Sequence, residues 1–327
     1  LLTGKDGIKI EHFKTKVNPQ ELIDKTITFT NSEFNNLLEK IKMNSNYKLT
    51  ENNVAQGIVT PQDSVIVSHI DILKDDSIKK GDGIFILKTE EINKLKLNQK
   101  EKQIIKPLYT TEELFRYYGN PKNRLWVIYS NIEVRKNIND YPNIKEHLDK
   151  FKKVITSDFA PYGLHRARER RFFEGEKIIS LRKTSQPSFT HTDFPCYVSQ
   201  TYYIIKPEDI NLKYLIGLLN SKLVHFWLNF KGKKQGEQLQ IDKAPLLELP
   251  IYESNAKEEI KIQENIIKNV NLIIESNKKL NTLNLESERN IFKKQIQAFE
   301  DNINDLVYKL YNIIDEEKKI IEESLKS

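Results

Sequence analysis

Between residues 256 and 325 the chain contains neither proline nor glycine, and its apolar residues recur at steps of three and four. Ile260, Ile266, Ile267, Val270, Ile273, Ile274, Leu280 and Leu283 form one series. Ile291, Phe292, Ile296, Phe299, Ile303, Leu306, Val307, Leu310, Ile313 and Ile314 form a second. This spacing puts one apolar stripe on each of two helices, over 256–283 and 286–325. An antiparallel hairpin is the simplest way to bury both.

Upstream of Pro250 the pattern is different. Thr30-Asn-Ser-Glu33 spaces a hydroxyl and an acid for a helix start, with Phe34, Leu37, Leu38 and Ile41 at helical steps. Asn44 to Asn53 reads as a polar loop. Short β-like runs follow at 56–60, 64–67, 83–87, 124–129, 177–181 and 202–205, punctuated by turn residues. Leu108 to Tyr118 reads as a short helix mixed with aromatics. Pro142 opens a helix over 141–153. One long helix over 211–229 carries Leu212, Leu215, Leu218, Leu219, Leu223, Phe226 and Trp227 on a buried face. The expected fold class is α+β. A mixed, mostly antiparallel domain over 51–251 is followed by a helical hairpin over 254–327. Residues 1–50 form a lead-in, and Leu1-Leu-Thr-Gly-Lys-Asp reads as the cut edge of a longer protein.

No apolar run approaches the roughly 18 residues that a membrane span needs. Cys196 is the only cysteine, so no internal disulfide can form, which suits the cytoplasm. The net charge of +6 is concentrated in the centre. Residues 101–250 hold 25 basic and 17 acidic side chains, an excess of eight. A basic centre with flanks of lower charge suits a polyanion bound by one part of the chain, although an ordinary lysine-rich surface gives the same numbers.

Two clusters could grip such a partner. Arg166, Arg168, Arg170 and Arg171 fall within six residues, after the turn Asp158-Phe-Ala-Pro-Tyr-Gly163. A guanidinium fork matches both the paired acceptors of guanine and phosphate oxygens. In an extended segment Arg166, Arg168 and Arg170 would share a face. The alternative is surface pairing with Glu169, Glu174 and Glu176. The second cluster is a loop over 231–240. Lys231, Lys233 and Lys234 can neutralise phosphates, and Gln235, Gln238 and Gln240 carry the donor and acceptor that adenine's major-groove edge requires. A flexible polar loop is the plain alternative. Lys177, Lys183, Thr60 and Gln62 are weaker candidates. His165 is either a nucleic-acid contact or a structural histidine. Tyr117, Tyr118, Trp126, Tyr129, Tyr202, Tyr203 and Trp227 read as core.

The order of several segments is similar to one family. Tyr197-Val-Ser-Gln-Thr-Tyr-Tyr-Ile-Ile205 leads into Tyr214-Leu-Ile-Gly-Leu-Leu-Asn-Ser-Lys222, then the basic loop, then Pro245-Leu-Leu-Glu-Leu-Pro-Ile251. This resembles the TaqI-like C-terminal specificity domain of adenine DNA methyltransferases and combined type II restriction–modification enzymes. Gln56-Gly-Ile-Val-Thr60 looks like that family's Gly-Ile-x-Thr turn, with Pro61 where glycine is usual. Ile104-Ile-Lys-Pro-Leu108 with Glu113-Leu-Phe-Arg-Tyr-Tyr118, Leu164-His-Arg-Ala-Arg168 with Phe173 and Lys177-Ile-Ile179, and Asn304-Asp-Leu-Val-Tyr-Lys-Leu-Tyr311 resemble further family elements in the same order. The resemblance implies a domain that selects the sequence of double-stranded DNA. A methyltransferase domain upstream would use S-adenosylmethionine and take a flipped adenine.

This stretch carries no catalytic set of its own by the same reading. Gly119-Asn-Pro-Lys122 lacks the second proline and the aromatic of an aminomethyltransferase motif, and no glycine-rich strand–turn–helix suits S-adenosylmethionine. Asp158 with Glu174-Gly-Glu-Lys177 is one residue out of register for a metal-dependent nuclease. The six histidines are scattered, with no metal-ligand spacing. Half of a type I specificity subunit is an alternative, although no internal repeat is visible. A metal-dependent nuclease and a helical interaction module are alternatives of other classes.

Overall fold

The computed structural model describes residues 32–235, 238–253 and 256–326, with the backbone only at Ser32, Lys234 and Gln235. The expected lead-in therefore falls largely outside the described residues. In chain order the elements begin with α1 (Ser32–Met43), β1 (Val54–Gln56), α2 (Val67–Leu73), β2 (Ile86–Lys88), α3 (Thr89–Lys94), α4 (Gln99–Lys102), β3 (Ile105–Leu108), β4 (Tyr117–Tyr118), β5 (Leu125–Ile128), α5 (Ile132–Lys136) and α6 (Pro142–Lys150). They continue with β6 (Lys177–Leu181), β7 (Lys183–Thr184), β8 (Phe189–Thr192), β9 (Tyr202–Ile205), α7 (Leu212–Leu219), α8 (Lys222–Lys231), β10 (Lys233–Gln235), β11 (Gln238–Gln240), α9 (Lys243–Leu247), α10 (Lys257–Leu280), α11 (Glu286–Leu310) and α12 (Asp315–Ser324). The class is α+β, as the sequence pattern predicts.

The central sheet has the order β1-β9-β6-β8-β4, antiparallel except for the β4–β8 pair. Its strands separate two hydrophobic cores, and the period-two alternation is visible in which core each residue joins. Ile178, Tyr203 and Ile205 enter the core that holds α1, α7, α8 and the C-terminal helices. Ile179, Tyr202 and Ile204 enter the core that holds β2, β3, β5 and α6. Burial on both faces explains why Tyr202–Ile205 is apolar throughout. The second core lies beneath a small antiparallel sheet, β2-β5-β3.

The hairpin α10–α11 forms as its spacing predicts, and it docks on α7. Gly217 makes the close approach possible, because a Cβ there would run into Ile266. The second series does not continue as one helix to residue 325. It stops at Leu310, Asn312 takes a φ of 55°, and α12 starts afresh at Asp315.

Four further expectations are corrected. Ser64–Val67 is not a strand, because Val67 begins α2. Leu108 to Tyr118 is not a helix; it runs from the end of β3 through a turn into β4. The helix expected over 211–229 is two helices. Asn220 leaves the helical path and its amide clasps Phe189, accepting from the backbone N–H at 3.0 Å and donating to the carbonyl at 2.9 Å. Ser221 then caps α8 by accepting from Val224 N–H. The segment 231–240, expected as a loop, pairs as strands where it is described, with β10 against β11 and β7 adding a third strand.

Candidate nucleic-acid interface

Three stretches far apart in sequence are laced together at one end of the central sheet. Val59 and Arg166 exchange backbone hydrogen bonds of 3.0 and 3.1 Å. Gly57 N–H donates to the Tyr202 carbonyl at 3.0 Å and Ile58 N–H to the Val198 carbonyl at 2.9 Å. A Cβ on Gly57 would collide with the Ser199 carbonyl, so this crossing requires glycine. Gln56 Nε2 donates to the Gln200 carbonyl at 3.0 Å. Arg182 N–H reaches the Thr201 carbonyl at 3.0 Å, and Lys183 sits opposite Gln240 in the β7–β11 pair. A continuous polar strip results. It joins exposed Arg166, Gln200, Thr201 and Lys183 to half-buried Arg168, Thr60, Gln62 and Gln56, and meets the β10–β11 hairpin through the β7–β11 pair. Beside Lys183 and Thr201 it borders a cleft of about 850 Å³, floored by Leu108, Tyr109, Leu125 and Leu181.

The arginine cluster does not form the alternating face expected of it. Arg166 is exposed and has no ion pair among the described residues. Arg168 is half-buried with a φ of 63°, a left-handed conformation that breaks the extended run. Its Nη2 donates to Gln56 Oε1 at 3.3 Å and its Nε to the Gly57 carbonyl at 3.5 Å. Burial, then the neighbouring Arg166 charge, lowers its pKa. Arg170 and Arg171 sit in a single 3-10 turn closed by buried Phe172. Arg170 Nε meets Glu174 at 3.1 Å and Arg171 Nε meets Glu169 at 2.8 Å. Pairing with acids therefore holds for these two, while Glu176 binds His191 instead. Arg168 and Arg171 still line a groove of about 460 Å³ with Gln56, Tyr203 and Lys243.

The other candidates also divide. Lys177 is wholly buried and is withdrawn as a surface contact. Its ammonium donates to the carbonyls of Gly175 and Phe194 at 2.8 and 2.7 Å. Lys183 and Lys233 are exposed, and Lys231 lies over the Trp227 ring, 5.6 Å from its centroid. Gln238 is exposed, but Gln240 folds inward and donates to Asp242 at 2.6 Å. Asp242 also accepts from Arg182 at 2.7 Å. Burial would raise its pKa, yet these two bonds hold its carboxyl below the usual range. Thr60 Oγ1 donates to Asp63, and Gln62 is half-buried. The side chains of Lys234 and Gln235 lie outside the described residues. His165 is exposed, with its ring 3.3 Å from the Thr156 carbonyl. The aromatics read as core are buried, except that Trp126 is half-buried and bonds Thr89.

Of the nuclease set of Asp158, Glu174 and Lys177, Glu174 accepts from Arg170 and Tyr197 and Lys177 donates to two carbonyls, so both are already engaged within the fold. No group of three or more His, Cys, Asp or Glu among the described residues could hold a metal ion. No described helix is long and apolar enough to cross a membrane. Gln56, Gln200, Thr201 and Arg182 belong to the strip but were not singled out from the sequence. Gln56 begins the Gly-Ile-x-Thr-like turn and Gln200 lies inside the run at 197–205, so position in the motifs was the available signal.

A strip of exposed and half-buried polar side chains thus lies beside a two-core α+β scaffold, with the helical hairpin packed into one of the cores. Residues 85–251 match the family model for the TaqI-like C-terminal specificity domain. The chain belongs to that family. It is similar in fold to the type IIL restriction–modification enzyme MmeI, solved in complex with DNA. That likeness has 12% identity and a TM-score of 0.57, and covers 86% of this chain and 36% of MmeI. The type IIG restriction endonuclease BpuSI is matched at 11% identity and a TM-score of 0.41, over 86% of this chain and 34% of that one. The chain thus spans about a third of the length of each. No curated protein matches.

Proposed function

We propose that this chain reads a short sequence in double-stranded DNA on behalf of a restriction–modification enzyme whose reaction is carried out by another domain. The observation that carries this reading is the lacing of the 56–62, 166–168 and 198–202 segments into one strip that presents Arg166, Gln200 and Thr201 at the surface. Arg166, Lys183 and Lys233, exposed and without ion pairs among the described residues, supply phosphate contacts that set position. Gln238, Gln62 and Thr60 face the groove as base-edge contacts. Lys231 and Lys234 add backbone contacts beside the hairpin, with Gln235 at its tip. Arg170 and Arg171 contribute field more than contact, since each already holds a carboxylate.

In this reading residues 51–251 are the recognition unit and 254–327 the support that joins it to the rest of the enzyme. An upstream methyltransferase domain, loaded with S-adenosylmethionine, works on an adenine turned out of the duplex in the cytoplasm. The MmeI–DNA likeness in fold supports the DNA part of this account. The test is selection of binding sites from a randomised duplex pool by this chain. A defined motif is expected, with affinity falling steeply as salt rises. Binding that ignores both sequence and salt would refute it.

A further inference from the structure

We infer that Arg168 is a specificity-determining residue that reads a guanine, and that Gln56 is its positioning residue. The inference rests on the DNA-reading function proposed above. Three structural facts converge on this side chain. Arg168 holds a φ of 63°, a conformation that L side chains rarely adopt and that tends to be kept where function demands it. The strain is held in place because the Arg168 carbonyl accepts the Tyr129 hydroxyl at 2.6 Å. Its guanidinium is half-buried with no carboxylate partner among the described residues, and it lies beside a second cation, Arg166.

The third fact is how its donors are used. A guanidinium has five N–H groups. Nε is directed to the Gly57 carbonyl and one Nη2 hydrogen to Gln56 Oε1. Both bonds lie along one edge, which fixes the plane of the group. Gln56 is fixed in turn, because its Nε2 is bonded to the Gln200 carbonyl. Among the described residues nothing else bonds the end-on pair, Nη1 and the other Nη2 hydrogen, which can meet two acceptors side by side. Guanine O6 and N7 present that pair in the major groove. Phosphate offers a bidentate pair as well, but an exposed cation with no fixed partner among the described residues, such as Arg166, suffices for it. A plane fixed in advance suits a base edge.

The experiment is site selection from a randomised duplex pool, followed by affinity against salt for each selected duplex. It uses the unsubstituted protein and the variants Arg168→Lys, Arg168→Gly, Gln56→Leu and Arg166→Ala. Thermal unfolding serves as the folding control; glycine accepts the φ at 168, and lysine keeps the charge. At one guanine of the motif, Arg168→Lys and Arg168→Gly are expected to lower the preference for guanine roughly 10- to 100-fold. Gln56→Leu, which removes both the acceptor for Arg168 and the donor to the Gln200 carbonyl, lowers it at the same position and leaves the other positions of the motif as they were. Arg166→Ala weakens all duplexes alike and leaves the motif intact. A folded Arg168→Lys variant that keeps every guanine preference overturns the inference. So does a loss spread evenly over all sequences, which would make Arg168 a phosphate contact. If the unsubstituted protein selects no motif, the DNA-reading function itself fails and this inference falls with it.

Discussion

Val59 and Arg166 form an antiparallel bridge, each donating its N–H to the other's carbonyl. This one bridge ties the arginine segment to the turn that carries Thr60 and Gln62. The Arg168 side chain adds a second tie between the same segments, to Gln56 and the Gly57 carbonyl. With both, side chains from distant parts of the chain have fixed spacings, which reading a sequence of bases requires.

The paired glutamines of β11 should behave differently when each is replaced by alanine. Gln238 is exposed on the strip, so its loss should change the selected motif, at about 1–3 kcal/mol of discrimination, and leave unfolding unchanged. Gln240 is buried and bonded to Asp242, so its loss should lower stability by about 1–2 kcal/mol and leave the motif as it was. Site selection and chemical denaturation of both variants check this. A Gln240→Ala variant that is fully stable but reads a different sequence would reverse the assignment.

Lys183 and Lys233 should act as point charges toward DNA. Each is exposed, with no ion pair among the described residues. Replacing either with alanine should weaken binding to every duplex by a similar factor and reduce the slope of log affinity against log salt by about 1. Titrations at several salt concentrations measure that slope directly. An unchanged slope would place the lysine away from the phosphates.

What the sequence revealed was mostly local. Pro142 marks the start of α6, and the Pro-free, Gly-free periodicity marks α10 and α11, because each signal depends on neighbouring residues. The break at Asn220 was hidden because its partner, Phe189, lies on another strand. Lys177 read as a surface cation because nothing near it in sequence announces that the Phe194 carbonyl waits in the core. The parity of Gln238 and Gln240 suggests one shared face, and only Asp242 turns the second away. At the arginine cluster the residue types pointed to the right place. The left-handed turn at Arg168 and the buried Phe172 then decided which arginines stay available.

Lys177 should give the fold a measurable pH dependence. Burial lowers its pKa from the ordinary lysine value near 10.5 to about 8. Between those values the unfolded chain binds more protons than the folded one, so this residue makes stability rise with pH. Below pH 8 both states are protonated and its contribution is flat. The full gain over the window is up to about 3 kcal/mol, opposed by the two carbonyls that hold the ammonium. Denaturation of the protein and of Lys177→Met from pH 7 to 10 isolates the effect, since the variant lacks the titration. Parallel curves for the two proteins would show that Lys177 keeps an ordinary pKa.

Gly217 offers a test of how the helical hairpin is attached. Its Cα lies so close to α10 that an added methyl would overlap the Ile266 side chain. Gly217→Ala would ordinarily favour a helix, by roughly 1 kcal/mol. Here the overlap should win and destabilise the protein by about 1–3 kcal/mol, because α7 and α10 must move apart or Ile266 must leave its rotamer. A second substitution, Ile266→Val, leaves the offending Cγ2 position filled, whereas Ile266→Ala removes it. Because Ile266 is buried and its truncation is costly by itself, the test is the coupling: Gly217→Ala should cost less in the Ile266→Ala background than in the Ile266→Val background. Thermal unfolding of the parent, the three single variants and the two double variants decides the point. Equal stability of Gly217→Ala and the parent would mean that the hairpin does not rest on this contact.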